Sequence, residues 1–337
     1  MNSDFRVEST RGSLVETVHR VSLAVVDQTG RLVAEAGDPD LVTFWRSAAK
    51  PFQAMPVVAD GAADHFRFEP RELALACASH SSEPVHLEAA GRLLQKLGLT
   101  EAALACGPHP PLSPAVAEQV LRQGIVMTPR WSNCSGKHAG MLALALAHGW
   151  PTAGYEKLEH PVQRRILAEV ERWTGVAAAD LGLGVDGCTA VSVALPLRAM
   201  ALAYARFGVS DHPSAVRLRA AVAAHPVMIA GEGRLCTDLL VATGGTAFAK
   251  LGADGVYCAM LPQAGLGLAL KVEDGDMRSL TPALVALLRA IGDRVPLGFD
   301  PARLPETVLR HAELVTVNTR GAVTGSLRSA GDPRFLA

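Results

Sequence analysis

VHRVSLAVVDQTGRLVAEAGD, residues 18–38, decides the fold class. Its side chains alternate around Val21 to Val26, the chain turns at Gln28-Thr29-Gly30, and an extended pattern resumes from Arg31 to Glu35. A period of two puts successive side chains on opposite faces, and a glycine-bearing turn between two such runs specifies a β-hairpin. A lone hairpin cannot bury its apolar face, so this one is assigned to an antiparallel sheet. A second hairpin is expected in GTAFAKLGADGVYCAMLP (residues 245–262), turning at Ala253-Asp254-Gly255, and GLGLALKVEDG from Gly265 follows as a further strand.

Between these blocks the apolar spacing changes to about 3.6. Arg71 to Cys77, Glu83 to Leu97, Pro114 to Gln123, Ala139 to His148, Pro161 to Thr174 and Pro213 to Ala224 read as helices, several with Pro at or near the start. Strand-rich ends around a helix-rich middle predict an α+β fold. We expect a single catalytic domain over residues 1–337, with a sheet lobe from about 1–75 and 230–337 and a helix-rich lobe from about 76–229.

Of the 337 residues 49% are hydrophobic, and the formal net charge is −1. That balance provides a large core and no electrostatic footprint for nucleic acid or an anionic membrane. No apolar run approaches the roughly 18 residues of a membrane span, and the polar start MNSDFRVESTRGSLVE has no signal-peptide core, so a cytoplasmic location is expected. Six dispersed cysteines (Cys77, Cys106, Cys134, Cys188, Cys236, Cys258) then favour thiols or metal ligands over a disulfide framework.

Four stretches carry reactive side chains. In Arg46-Ser47-Ala48-Ala49-Lys50-Pro51-Phe52, an SxxK sequence, Pro51 fits a first helical turn; residues three apart then share a face, and a neutral lysine can take a serine proton. SxxK alone also arises by chance as a helix cap followed by a surface lysine. Cys77-Ala78-Ser79-His80-Ser81-Ser82-Glu83 lies between two helical runs, and its plainest reading makes Ser81 or Ser82 the N-cap of the second. Lys250-Leu251-Gly252 ends a strand, like the lysine-x-glycine that accompanies SxxK in serine β-lactamases and penicillin-binding proteins. Finally, WSNCSGKHAG (131–140) places Cys134 and Lys137 three apart, and Val185-Asp186-Gly187-Cys188 supplies a second thiol on a turn; two thiolates with a nearby donor attract Zn²⁺, while the alternative is a pair of reduced, non-coordinating cysteines.

RSAAKPFQ, CASHSSEP, CGPHPP, WSNCSGKHAGML, GVDGCTA and AGEGRLCTDLL, in this order and spacing, resemble the Rhizobium etli type (class 3) L-asparaginases of the asparaginase II family over nearly the whole chain. The resemblance implies a fold similar to serine β-lactamases and penicillin-binding proteins, hydrolysis of L-asparagine to L-aspartate and ammonia, and a homodimer. It implies Ser47 as nucleophile with Lys50 as base, and Ser79 paired with Lys250. It further implies a Zn²⁺ held by Cys134, Lys137 and Cys188, with Arg46, His138 and Asp186 as neighbouring or substrate-binding groups.

Two positions depart from the family pattern: Ser82 stands where a glycine is expected, and Leu251 where lactamase relatives carry threonine. Two alternatives stay open on the residues alone, another serine amidohydrolase of β-lactamase or peptidase type, and a non-catalytic metal- or ligand-binding relative.

Overall fold

The computed structural model describes residues 4–336. The chain forms two compact units, one from the segments up to Ala48, Leu195–Val209 and Asp238 onward, the other from Ala49–Ala194 and Ser210–Thr237. Secondary structure is mixed, and every strand pairing with a described register is antiparallel, as the α+β reading requires.

The first unit is a sheet with strand order Glu313–Val317, Val323–Ala330, Arg6–Arg11, Leu14–Asp27, Leu266–Val272, Val256–Leu261 and Phe248–Gly252; Leu32–Ala36 also pairs with Leu14–Asp27. The expected N-terminal hairpin is present, with Leu23 opposite Ala36 and Val25 opposite Ala34. Its turn is tied by the Asp27 carboxylate, which accepts from Thr29 N (2.9 Å), Thr29 Oγ1 (2.6 Å) and Arg31 N (3.1 Å). Burial works against that charge, yet these hydrogen bonds hold the Asp27 carboxyl down at about 2. The second hairpin pairs Lys250 with Cys258 and turns through Asp254 and Gly255, both at positive φ. The outer strands Arg6–Arg11, Glu313–Val317 and Val323–Ala330, absent from the sequence reading, are more exposed and carry no clean apolar alternation.

The helix Leu197–Val209 packs on this sheet against Leu14–Asp27, Val256–Leu261 and Leu266–Val272. Close approach depends on Gly267: a Cβ there would stand 2.1 Å from Ala201 O and 2.2 Å from Ala205 N. Both atoms belong to the helix backbone and cannot rotate away. Gly267→Ala is therefore expected to cost about 3 kcal/mol or more in urea unfolding, the upper end of an overpacked core.

The second unit is helical. Lys50–Ala59 packs against Ser135–Ala147, Pro161–Thr174 and Pro213–Ala224, and Pro70–Ala76 packs against Ser135–Ala147 and Pro213–Ala224. Ser135–Ala147 is buried from Ser135 to Ala145, so its N-terminal turn shows no amphipathic stripe; it begins four residues before Ala139, where the sequence pattern first became periodic. At Gly136 a Cβ would lie 2.4 Å from Leu75 O, so the glycine lets two helices touch. The hairpin Gly182–Val185 with Val191–Pro196 displays Asp186 and Cys188 on its turn, as the sequence suggested.

One capping expectation is corrected. The helix Pro84–Lys96 is capped by Glu83, which forms a reciprocal box with His86, and not by Ser81 or Ser82. Both serine hydroxyls donate elsewhere, Ser81 to Ala230 O (2.6 Å) and Ser82 to Trp131 O (2.8 Å). Ser82 also has φ 58°, the left-handed conformation that glycine adopts without strain, which accounts for glycine being the expected residue there.

Candidate active site

Lys50 opens its α-helix with Pro51 in the first turn, and its amine is buried. The Nζ contacts Ala78 O (2.5 Å), Ser79 Oγ (3.0 Å) and Asn133 O (3.3 Å). Two of these partners are carbonyls and can only accept. Nζ donates to all three, and of these partners only the Ser79 hydroxyl can also donate a hydrogen in return. The partner of Lys50 within this unit is thus Ser79, whereas the resemblance pairs Lys50 with Ser47.

Ser79 is held on both sides of its side chain. Its N–H donates to Ile229 O (2.9 Å), and its carbonyl accepts from Arg234 Nη1 (2.8 Å). The neighbouring His80 and His86 rings stack at 5.1 Å. Each Nδ1 accepts a backbone N–H, from Ser82 (3.2 Å) and Glu83 (3.1 Å), so each Nε2 carries the hydrogen and meets Ser135 Oγ or Val227 O, both at 2.9 Å.

These two rings give the unit an acid sensitivity. Burial first, and then nearby positive charge, pushes His80 well below the ordinary histidine range and His86 down to about 4. In the unfolded chain both titrate near ~6.5, so below that pH the unfolded state binds more protons. The stability supplied by neutral His86 is complete above ~6.5 and is lost as the pH falls towards its folded value, by up to about 1.4 kcal/mol per pH unit. Urea unfolding measured between about pH 7 and about pH 4.5 should show this loss, with a shallower slope in His86→Gln.

Cys134, Lys137 and Cys188 converge on one another, Lys137 Nζ standing 3.0 Å from Cys188 Sγ. The hydrogen bond between the sulfurs, with Lys137 behind it, holds the Cys188 thiol far below its ordinary range; the same sulfur contact and burial push Cys134 well above. Burial opposes charge on Lys137, but Cys188, Cys134 and Asp186 outweigh it and raise the amine. Two sulfurs and a nitrogen suit Zn²⁺ in donor type. Among the described residues no group of three His, Cys, Asp or Glu side chains is gathered for a metal; this set has two cysteines and depends on Lys137 as its third donor. Asp186 sits at the turn, its backbone N–H bonded to Ala190 O (2.9 Å) and its Oδ1 accepting from Gly187 N (2.8 Å). His138 is fully buried, with Nδ1 2.6 Å from Tyr155 Oη.

Ser47, Arg46 and Lys250 belong to the sheet unit. Ser47 lies half-buried in the 3₁₀ turn Arg46–Ala49, directly after Arg46, whose φ of 54° is left-handed. The Arg46 guanidinium forms an ion pair with Asp254. Lys250 is fully buried on its strand and donates to Leu251 O (2.9 Å). Gly252 beside it has no room for a Cβ, which would meet Trp45 O at 2.9 Å.

The family model for L-asparaginase II matches residues 7–329. The chain belongs to that family. The match covers every site residue named above. A search of curated proteins returned no match. Among solved structures the chain is similar to Mglu in its native form (18% identity, TM-score 0.42, covering 76% of this chain and 59% of that one). It is also similar to a beta-lactamase from Mycobacterium bovis (13%, 0.32, 75% and 87%) and to the octameric penicillin-binding protein homologue from Pyrococcus abyssi (12%, 0.34, 94% and 86%). The chain thus spans about three-fifths of the Mglu chain. No helix among the described residues is long and apolar enough to cross a membrane.

Sequence reasoning missed Arg234, Tyr155 and His80. Arg234 lies in AGEGRLCTDLL, a stretch quoted for its resemblance with no role attached. His80 stood in a stretch read as a cap. Tyr155 sits in a turn among unremarkable residues, and nothing in its surroundings marks it.

Proposed function

We propose that this L-asparaginase II family member is of the Rhizobium etli type and hydrolyses L-asparagine to L-aspartate and ammonia by acyl transfer to serine. The observation that carries this reading is the buried Lys50 amine on the Ser79 hydroxyl, its other two contacts being carbonyls that fix its orientation. Ser47 supplies the attacking oxygen, as the motifs imply. Lys50 accepts the proton released as Ser47 Oγ bonds to the side-chain amide carbon, and the Ser79 hydroxyl carries a proton onward to the departing amide nitrogen. Ammonia leaves with that proton, and water then cleaves the aspartyl ester by the same path in reverse.

Cys134, Lys137 and Cys188 would hold Zn²⁺, with Arg46, His138 and Asp186 around the substrate. A bound zinc would polarise and orient the substrate, since serine already provides the attacking oxygen. A homodimer belongs to this reading as what the resemblance implies.

An ammonia-release assay with L-asparagine, L-glutamine and D-asparagine in parallel tests the proposal, with nitrocefin alongside. Release from L-asparagine is expected. Nitrocefin turnover with no ammonia from any amino acid would point instead to a β-lactamase-type amidohydrolase.

A further inference from the structure

The imidazole of His138 is buried beside the Cys134, Lys137 and Cys188 cluster, and which of its nitrogens carries the hydrogen decides what it can do there. We infer that Tyr155 is a positioning residue which fixes His138 as the Nε2–H tautomer, so that the ring is not itself a metal ligand.

The inference follows from counting hydrogens around one phenol. Tyr155 Oη accepts the backbone N–H of Ala105 at 2.8 Å and lies 2.6 Å from His138 Nδ1. The side chain is buried, and its hydroxyl has no other hydrogen-bond partner among the described residues. If Nδ1 carried a hydrogen, Tyr155 Oη would accept twice and its own hydrogen would be buried with nowhere to go, at the full cost of desolvation. An imidazolium leaves that hydrogen equally stranded. With Nδ1 bare, every group is satisfied: Ala105 donates to Tyr155, and Tyr155 donates to His138. Burial holds the phenol above its ordinary range, so it retains the hydrogen it must give.

The hydrogen of the ring then sits on Nε2, which is buried and has no hydrogen-bond partner among the described residues. Both ring nitrogens are thereby accounted for, Nδ1 by the phenol and Nε2 by the ring's own hydrogen. The other end of the relay is anchored as well. Gln163 Nε2 donates to Tyr155 O (2.9 Å), and Thr189 Oγ1, on the turn after Cys188, donates to Ala105 O (3.2 Å). The Ala105 segment therefore joins the phenol to the turn that carries the thiol.

The inference concerns the geometry around His138 and stands apart from the substrate proposed above. It is tested on the full chain labelled with ¹⁵N-histidine, with His138 assigned by comparison with His138→Gln, using long-range ¹H–¹⁵N correlation spectra. The expected result is an unprotonated Nδ1 and a protonated Nε2, unchanged when Zn²⁺ is added. A protonated Nδ1, or loss of the Nε2 hydrogen on adding zinc, would overturn it, the latter making His138 a ligand. In Tyr155→Phe the unprotonated Nδ1 signal should be lost or mixed with the protonated form. A Tyr155→Phe protein that kept the wild-type signals would remove Tyr155 from the role. The wild-type spectra decide the tautomer and the zinc outcome even if that variant fails to fold.

Discussion

Ser47→Ala is expected to lower L-asparagine turnover at least about a thousandfold while leaving the fold intact, because acyl transfer without a nucleophile retains only binding and electrostatic assistance. Structural damage should be slight. Ser47 is half-buried, and removing one hydroxyl from a partly exposed turn costs within about 1 kcal/mol. Lys50→Met is expected to be comparably inactive, since methionine fills the lysine's space without a base. It should also destabilise the protein, because the carbonyls of Ala78 and Asn133 lose their donor. If Ser47 and Lys50 act as a unit, the double variant will be hardly worse than either single one. Ser79→Ala separates the two serines: as a proton carrier it should leave a measurable residual rate above that of Ser47→Ala. A steady-state ammonia assay on the four variants, with circular dichroism for the fold, checks all of these.

The second large effect concerns metal. Protein purified without chelator is expected to contain close to one zinc per chain by elemental analysis, and Cys188→Ser to lose it. Removing a thiolate from a three-residue ligand set should weaken binding by at least about a hundredfold, more than losing an outer partner does. Cys134→Ser should lose zinc too. Binding must displace a proton from Cys134 and one from Lys137, both of which hold their protons above the ordinary range, so affinity should rise with pH across the neutral region. Protein kept reduced throughout, yet free of metal, would contradict the zinc assignment.

What could be read in the sequence follows from where side chains alternate. The strands Leu14–Asp27, Phe248–Gly252 and Leu266–Val272 are flanked by turns whose residues announce them, and helices such as Pro161–Thr174 show one apolar face. The helix Leu197–Val209 was invisible because it follows directly from a strand, in a run of buried residues with no punctuation. The start of Ser135–Ala147 was lost for the same reason, since a helix buried all round has no period to detect.

The site residues were legible as chemistry but not as pairings. Ser47, Lys50, Cys134 and Cys188 stand out by type and spacing, whereas the bond between Lys50 and Ser79 spans 29 positions and depends on how three helices pack. Arg234 on the Ser79 carbonyl and Tyr155 on His138 are likewise long-range contacts, made by residue types that are common everywhere on protein surfaces and in cores.

The central claim is that serine forms an aspartyl ester during L-asparagine hydrolysis and that Ser47 is the residue esterified. Acid-quenched turnover of L-asparagine, followed by peptide mapping by mass spectrometry, tests it most directly, with hydroxylamine added in a parallel sample to intercept the ester. The account predicts an aspartyl adduct on the peptide that contains Ser47, absent in Ser47→Ala, together with aspartyl hydroxamate in the trapped sample. An adduct confined to the peptide containing Ser79, or ammonia released by Ser47→Ala at more than about a tenth of the wild-type rate, would contradict it.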